Sequence, residues 1–278
     1  MQNNLMVSVK MITYNHENFI AQAIESILMQ ETDFLFNLII ADDCSPDNTE
    51  EIVKKIISTN PKGHLINYFR HEKNIGINLN GIFGLNQCHG KYIAFCEGDD
   101  FWSDPKKLQK QIDILEKDET IGLVHTDYCN FYQNVNEHSS ANNEQKKIPV
   151  GYVYDGLIRS NFIATVTTVG RMDLVREALK QLKNKRPQWV IGDYPIWLFI
   201  SASHKIEYIP EITSTYRILS ESASNSNSVI KNFSFIITVF KIQLYFNRKI
   251  KPSKFTIIYS ILNFTYSSLR LILKGKLF

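Results

Sequence analysis

The sequence predicts an α/β fold with a mostly parallel central sheet flanked by helices. From Leu5 to Phe95, short apolar β-prone runs alternate with amphipathic helical periodicity. Most of those runs end in polar or acidic residues, as strands do when their carboxyl ends face a ligand crevice. At 278 residues the chain is long enough to bury a large core.

Leu5 to Ile12 forms the first strand and Thr13-Tyr14-Asn15-His16 closes it. Phe19, Ile20, Ala23, Ile24, Ile27 and Leu28 then follow at helical spacing. Phe34 to Ala41 is the second strand, ending in Asp42 and Asp43. Asp47 or Asn48 caps the helix that carries Ile52, Val53, Ile56 and Ile57. Leu65 to Phe69 is a third strand, followed by a loop through Asn74 to Gly76 and a helix over 79–87. The fourth strand, 91–96, delivers Glu97, Asp99 and Asp100, with Gly98 expected to let the backbone turn.

Beyond Asp104-Pro105 a helix carries Leu108, Ile112 and Leu115, and Ile121 to His125 is a strand. Residues 133–147 are polar and aperiodic, which predicts a mobile loop or insertion. Phe162 to Arg171 is β-branched and is expected as a strand or extended surface segment. Helices are expected over 174–182 and after Pro195, then paired strands at 205–209 and 213–217. The Ser/Asn-rich stretch 221–228 has linker composition. Two amphipathic helices split by Pro252 complete the chain. The first places Phe233, Ile236, Ile237, Phe240 and Leu244 on one face.

Net charge is +3, but it is unevenly spread: Glu221 is the last acidic residue and only Lys and Arg follow. A basic, aromatic-rich pair of amphipathic helices predicts contact with a membrane surface through 229–278. The alternative is that the pair packs on the body or dimerises. No nucleic-acid partner is expected, because base readout or strand stacking would want a basic face on the body too. Cys44, Cys88, Cys96 and Cys129 lack CxxC spacing, which fits a reducing cytoplasm better than a disulfide framework or zinc. No basic segment followed by a long apolar core opens the chain, so no signal peptide is expected. No stretch reaches the roughly 18 continuous apolar residues of a spanning helix.

Three carboxylates within four residues, Glu97, Asp99 and Asp100, repel one another unless a cation lies between them. Hard divalent ions prefer such oxygens, so this stretch is a candidate metal–diphosphate site. A solvated acidic turn is the alternative. Neither GxGxxG nor GxxxxGK[ST] occurs, which argues against dinucleotide and P-loop chemistry. Trp102 and Trp197 either stack on rings of a ligand or pack in the core, and His125 is expected to be a satisfied core residue.

SVKMITYNHENFI, LIIADDCSPDNT, NIGIN, GKYIAFCEGDDFWSDPKKLQKQ, WVIGDYPIW and TSTYR together resemble family 2 glycosyltransferases, especially the bacterial surface-polysaccharide branch. The likeness covers roughly residues 5–220. It implies a GT-A fold, an inverting transfer and a divalent metal, Mn2+ or Mg2+. It also implies a nucleotide-diphospho-sugar donor, with uridine as the nucleoside. By position, Thr13, Asn15, Asp42, Asp43, Asn74 and Arg217 join the nucleotide-sugar site, and Asp99 serves both it and the metal. Asp100 and Glu97 complete the metal set, Glu97 standing where the usual DxD begins. Asp193 occupies the place of the catalytic base, although a helix N-cap ahead of Pro195 is also open to it. Leu219 stands where many members carry a His.

The expected organisation is a glycosyltransferase domain over 1–221, with a nucleotide-binding half (1–105) and an acceptor half (106–221), then a tail over 222–278. The expected acceptor is a saccharide, lipid-linked because the tail would bring the enzyme to the cytoplasmic face of the membrane. Rival functions are a sugar-nucleotide nucleotidyltransferase and a non-catalytic binder of the same fold.

Overall fold

A computed structural model of the chain describes residues 5–141, 147–185, 189, 191–219 and 228–275. The 221–228 linker lies, apart from Ser228, outside the described residues.

The first half alternates as the pattern predicts. It runs β1 (Leu5–Thr13), α1 (Ile20–Leu28), β2 (Leu35–Asp42), α2 (Thr49–Thr59), β3 (Ile66–Arg70), α3 (Ile77–Gln87) and β4 (Tyr92–Phe95). β5 (Phe101–Trp102), α4 (Lys107–Lys117), β6 (Ile121–Tyr132) and β7 (Glu137–Ala141) follow. The remainder is α5 (Tyr154–Leu157), β8 (Val169–Arg171), α6 (Met172–Leu182), α7 (Tyr194–Ser201), β9 (Lys205–Ile218), α8 (Val229–Lys249) and α9 (Lys254–Gly275).

One mixed sheet runs in the order β3-β2-β1-β4-β8-β6-β9-β5, with β7 beside β6. β3, β2, β1 and β4 pair in parallel. Thr13 stands opposite Asp42 and Lys10 opposite Phe95, so these strands release their polar ends along one rim. β8 runs antiparallel to β4, which brings the residues just before it to the same rim. β5 pairs antiparallel with Ser214 and Thr215 of β9, carrying the end of β9 toward Asp99 and Asp100.

Strand side chains alternate between two apolar layers. Tyr92 and Ala94 join a cluster with α1, α2 and α4, while Ile93 and Phe95 join one with α3, α6 and α7. Ile242 and Phe246 of α8 belong to the second layer and are fully buried.

Several expectations need correction. Residues 205–218 form one strand rather than a pair. Pro210 falls where the pairing with β6 shifts register, so the missing N–H is absorbed in an irregularity instead of a turn. β6 runs on past His125 because its polar residues find partners: Thr126 and Thr213 hydroxyls lie 2.7 Å apart. Part of the polar 133–147 stretch is strand β7, and 142–146 lie outside the described residues. Only the end of 162–171 is strand. Thr165–Thr167 make a 3-10 turn, and Val166 and Thr167 are buried. The buried residues of α8 include Thr238, Ile242, Gln243 and Phe246, beside the Phe233–Leu244 stripe. For Trp102 and Trp197 the core alternative holds, since they are 1% and 0% exposed. His125 is buried with a ring nitrogen, Nε2, that has no hydrogen-bond partner. Burial pushes its pKa down to about 3, so it packs as a neutral ring.

Lys107 is fully buried, donating to Gln111 and to the Thr167 carbonyl, and burial pulls its pKa down to about 7. The unfolded chain, with an ordinary lysine near 10.5, therefore binds more protons between those values. Stability from this site is lowest below pH 7 and rises toward pH 10. Chemical denaturation of Lys107→Met should show a flatter stability profile over pH 7–10 than wild type. An unchanged slope would remove Lys107 as its source.

Candidate functional site

A cleft of about 660 Å³ opens along the polar rim of the sheet. Among the expected residues, Thr13, Asp43, Asn74, Glu97, Asp99, Asp100 and Asp193 line it. They arrive from the ends of β1, β2 and β4, from the loop after β3 and from the start of α7, as the parallel register requires.

Glu97 and Asp99 are half-buried and Asp100 is 4% exposed. Burial pushes the Glu97 carboxyl up to about 7; the charges of Asp193 and Asp99 push the same way, and Lys10 opposes them. Lys10 Nζ lies 4.0 Å from Glu97 Oε1. Burial, and then the Asp99 charge, also hold Asp100 well above the usual carboxylate range. Asp100 Oδ1 accepts the Arg217 N–H at 2.8 Å. Among the described residues lining the cleft, carboxyls outnumber basic side chains, and their crowding resists full ionisation.

Gly98 serves this corner through space rather than through an unusual backbone angle. A Cβ there would stand 2.8 Å from Thr13 Oγ1 and from His16 Nδ1. Those two atoms are 3.2 Å apart, and His16 Nε2 is 3.9 Å from Asp99 Oδ2. Burial lowers the His16 pKa against the pull of Asp99, so a neutral ring links Thr13 to Asp99.

Asp43 orders a loop as well as lining the cleft. Its oxygens accept the N–H groups of Ile75 at 2.7 Å and Gly76 at 2.9 Å. Gly76 has φ 88, where a side chain would be strained. Asn74 Oδ1 accepts the same Gly76 N–H at 3.1 Å.

Asp193 caps α7, its Oδ1 accepting the Tyr194 N–H at 2.7 Å while its Oδ2 accepts the Thr165 hydroxyl. Both oxygens are therefore held in a fixed direction at the cleft wall.

Asn15, Asp42 and Arg217 do not line the cleft. Asn15 is exposed at φ 60 and its N–H donates to Ser45 Oγ. Asp42 is fully buried and accepts from the Ser45 N–H and hydroxyl and from Tyr68 Oη at 2.6 Å. Arg217 is 5% exposed, packed among Phe19, Phe101 and Phe131. Its guanidinium donates to the Asp99 carbonyl, Gln22 and Gln133. Leu219 and Tyr216 do reach the cleft.

Lys10, His16, Thr165 and Asn161 line the cleft without having been singled out in the sequence. Lys10 left a signal: a lysine inside an apolar strand needs a polar place to point. Thr165 left none, because it sits in a β-branched run.

Among the described residues no three His, Cys, Asp or Glu side chains form a ready metal cage. The donor set still fits a divalent cation, since Asp99, Glu97 and Asp100 present hard oxygens whose mutual repulsion a bound cation would relieve. Magnesium-type ions are commonly held by one or two carboxylates plus substrate phosphates, which needs no preformed cage.

The mixed sheet flanked by helices has the GT-A fold. Residues 8–187 match the family model described as glycosyl transferase family 2, and the chain belongs to that family. It is 30% identical over 216 residues to an uncharacterized glycosyltransferase of Methanocaldococcus jannaschii, covering 77% of this chain and 71% of that one. It is 25% identical over 222 residues to TuaG, a putative teichuronic acid biosynthesis glycosyltransferase of Bacillus subtilis, covering 80% and 82%. A Mycobacterium tuberculosis protein is 38% identical over 111 residues, which is 40% of this chain; the chain spans about a third (32%) of that relative's length. In fold it is similar to a mannosyltransferase of Pyrobaculum calidifontis solved with GDP-Man and Mn2+, with TM-score 0.66, 14% identity and coverage of 98% and 74%.

Proposed function

We propose that the chain transfers a sugar, with inversion, from a nucleotide-diphospho-sugar to a saccharide hydroxyl in surface-polysaccharide synthesis. The observation that carries this is the convergence of Glu97, Asp99 and Asp193 on one cleft that also holds Thr13, Asp43 and Asn74. Sequence likeness to TuaG supports the polysaccharide context.

Asp99, with Glu97 and Asp100, would hold the divalent ion. When bound, that ion neutralises the charge of the leaving diphosphate. Asp193 takes the proton from the attacking hydroxyl. The Tyr194 N–H and Thr165 hydroxyl hold its carboxylate in place for that task. Thr13, Asn74 and the loop fixed by Asp43 contact the nucleotide. Asp42 and Arg217 act one layer behind. Asp42 fixes the loop at Ser45, and Arg217 sets the backbone of Asp99 and the side chain of Asp100.

Thermal-shift screening against a panel of UDP- and GDP-sugars, with and without Mn2+, tests the donor assignment. Binding to the native state alone raises stability by about 2.7 kcal/mol at a hundredfold excess over Kd. A shift that depends on both nucleotide sugar and Mn2+ is expected. No shift with any member would remove the assignment.

We place the enzyme at the cytoplasmic face of the membrane, lying on it through the α8–α9 hairpin and acting on a lipid-linked acceptor. Ile258, Ile261, Leu262, Leu269 and Leu273 are exposed along α9, and no acid follows Glu221. By length and composition α8 is long and apolar enough to cross a bilayer, yet its inner face is packed on the body. Deleting the tail would strip Ile242 and Phe246 from the core, so surface substitution is the better probe. Ile258→Asp with Leu262→Asp and Leu269→Asp should abolish co-sedimentation with anionic vesicles and leave the melting temperature near wild type. Undiminished co-sedimentation would discard the membrane assignment.

A further inference from the structure

Lys107 is a buried charge that the transfer chemistry leaves unused. It lies in α4 at 0% exposure, where a methionine of similar length would avoid the cost of taking an ammonium out of water. Its amine donates to Gln111 and, at 3.1 Å, to the Thr167 carbonyl. Gln111, also 0% exposed, donates to that same carbonyl at 2.9 Å and to the Val124 carbonyl of β6 at 2.9 Å. The preceding carbonyl, Val166, accepts the Trp102 indole N–H of β5 at 3.0 Å and the Ser214 hydroxyl of β9 at 3.2 Å. Buried side chains from α4, β5 and β9 thus grip two successive carbonyls of the 165–167 turn.

Thr165, which opens that turn, lines the cleft and gives its hydroxyl to Asp193 Oδ2. The Tyr194 N–H also holds Asp193, but it belongs to the helix that Asp193 itself opens. The Thr165 hydroxyl comes from a different element and fixes Asp193 relative to the sheet. Trp102 follows Asp100 by two residues, so the same turn is tied to the acid corner. We propose that Lys107 and Gln111 are positioning residues for the base: through the 165–167 turn they hold Thr165, and through Thr165 they keep Asp193 in register with Asp99 and Asp100. This rests on the glycosyl-transfer reading, in which Asp193 takes the proton, and adds to it the part of the fold that supports the base. Misplacing a reacting group by about 1 Å costs on the order of 100-fold in rate, so such support acts on kcat more than on binding.

A double-mutant cycle on turnover tests the proposal. The readout is nucleoside diphosphate released by the full chain, with Mn2+, from the UDP- or GDP-sugar that gives the largest thermal shift. Thr165→Val should lower kcat at least about tenfold and leave the donor KM within about twofold, and Thr165→Ser, which keeps the hydroxyl, should recover most of the loss. Lys107→Met should lower kcat at least about fivefold, again with KM within about twofold. In the double variant the losses should not multiply: kcat should stay within about twofold of Thr165→Val alone, because both substitutions act through one contact. Gln111→Met enters the same cycle if Lys107→Met does not fold. Multiplying losses, or an unchanged kcat in the α4 variant, would mean that α4 serves the fold alone. An unchanged kcat in Thr165→Val beside an impaired Asp193→Asn would overturn the proposal whatever the α4 variants do. If Asp193→Asn turns over like wild type, or wild type releases no diphosphate, the base assignment itself falls and takes this one with it.

Discussion

Asp193→Asn is expected to lower kcat about 10²- to 10⁴-fold, the usual worth of a general base, and to leave nucleotide-sugar binding within about twofold. The geometry makes this substitution a clean one. The retained oxygen still accepts the Tyr194 N–H that opens α7, and asparagine is itself a good N-cap. The new amide faces the Thr165 hydroxyl, which can rotate from donor to acceptor. Folding should survive, so lost turnover reports on proton removal and not on collapse of the helix. A variant that turns over like wild type would leave Asp193 as a cap alone. Loss of nucleotide binding together with turnover would place Asp193 in the donor site instead. A non-catalytic binder, the rival reading, shows no turnover in the wild type to lose.

The second large effect belongs to Asp99. Asp99→Asn should remove the Mn2+-dependent part of nucleotide-sugar binding, most of the roughly 2.7 kcal/mol that saturating ligand contributes to stability. Without ligand the sign reverses. The Asp99 charge raises the carboxyls of both Asp100 and Glu97, so neutralising it relieves repulsion among buried acids. The unliganded variant should melt at or slightly above wild type. Its backbone carbonyl still accepts from Arg217, which keeps the corner in place. Paired melting curves with and without donor and Mn2+ separate the two effects. A destabilised unliganded variant would mean that Asp99 is structural.

Much of the fold was legible because burial on both faces of a parallel sheet leaves a simple pattern. The first four strands and three helices follow from it within a residue or two. The second half was harder, for particular reasons. Pro210 looks like a break, but β9 carries it where its pairing with β6 is already irregular. Thr126 and Asp127 look like a strand end, yet Thr126 is satisfied inside the sheet by Thr213. The 162–171 run has strand composition throughout, but residues 165–167 turn so that Thr165 meets Asp193. That contact joins segments 28 residues apart and leaves no local periodicity.

The site divides in the same way. Acids at strand ends gave Asp43, Glu97, Asp99 and Asp100, since strand direction alone sends them to the rim. Which acids face the cleft and which support it was not legible, because Asp42 and Asp43 are neighbours with opposite orientations. Asp42 turns inward to Tyr68 and Ser45, and Asp43 outward to the 75–76 loop and the cleft. Arg217 likewise has the right charge for phosphate but gives its donors to protein oxygens. The amphipathicity of α8 identified a helix but not the face it buries, since apolar residues lie on more than one side.

The most direct measurement follows the anomeric configuration of the sugar as it leaves the donor. Wild-type chain is incubated with Mn2+ and the α-linked nucleotide sugar that gives the largest thermal shift, with water standing in for the acceptor hydroxyl. Proton NMR is recorded before mutarotation scrambles the product. Single displacement assisted by one base at Asp193 should release the β-anomer first, and Asp193→Asn should slow that release by the factor given above. Initial release of the α-anomer, or release at an equal rate from Asp193→Asn, would contradict an inverting transfer run from this cleft.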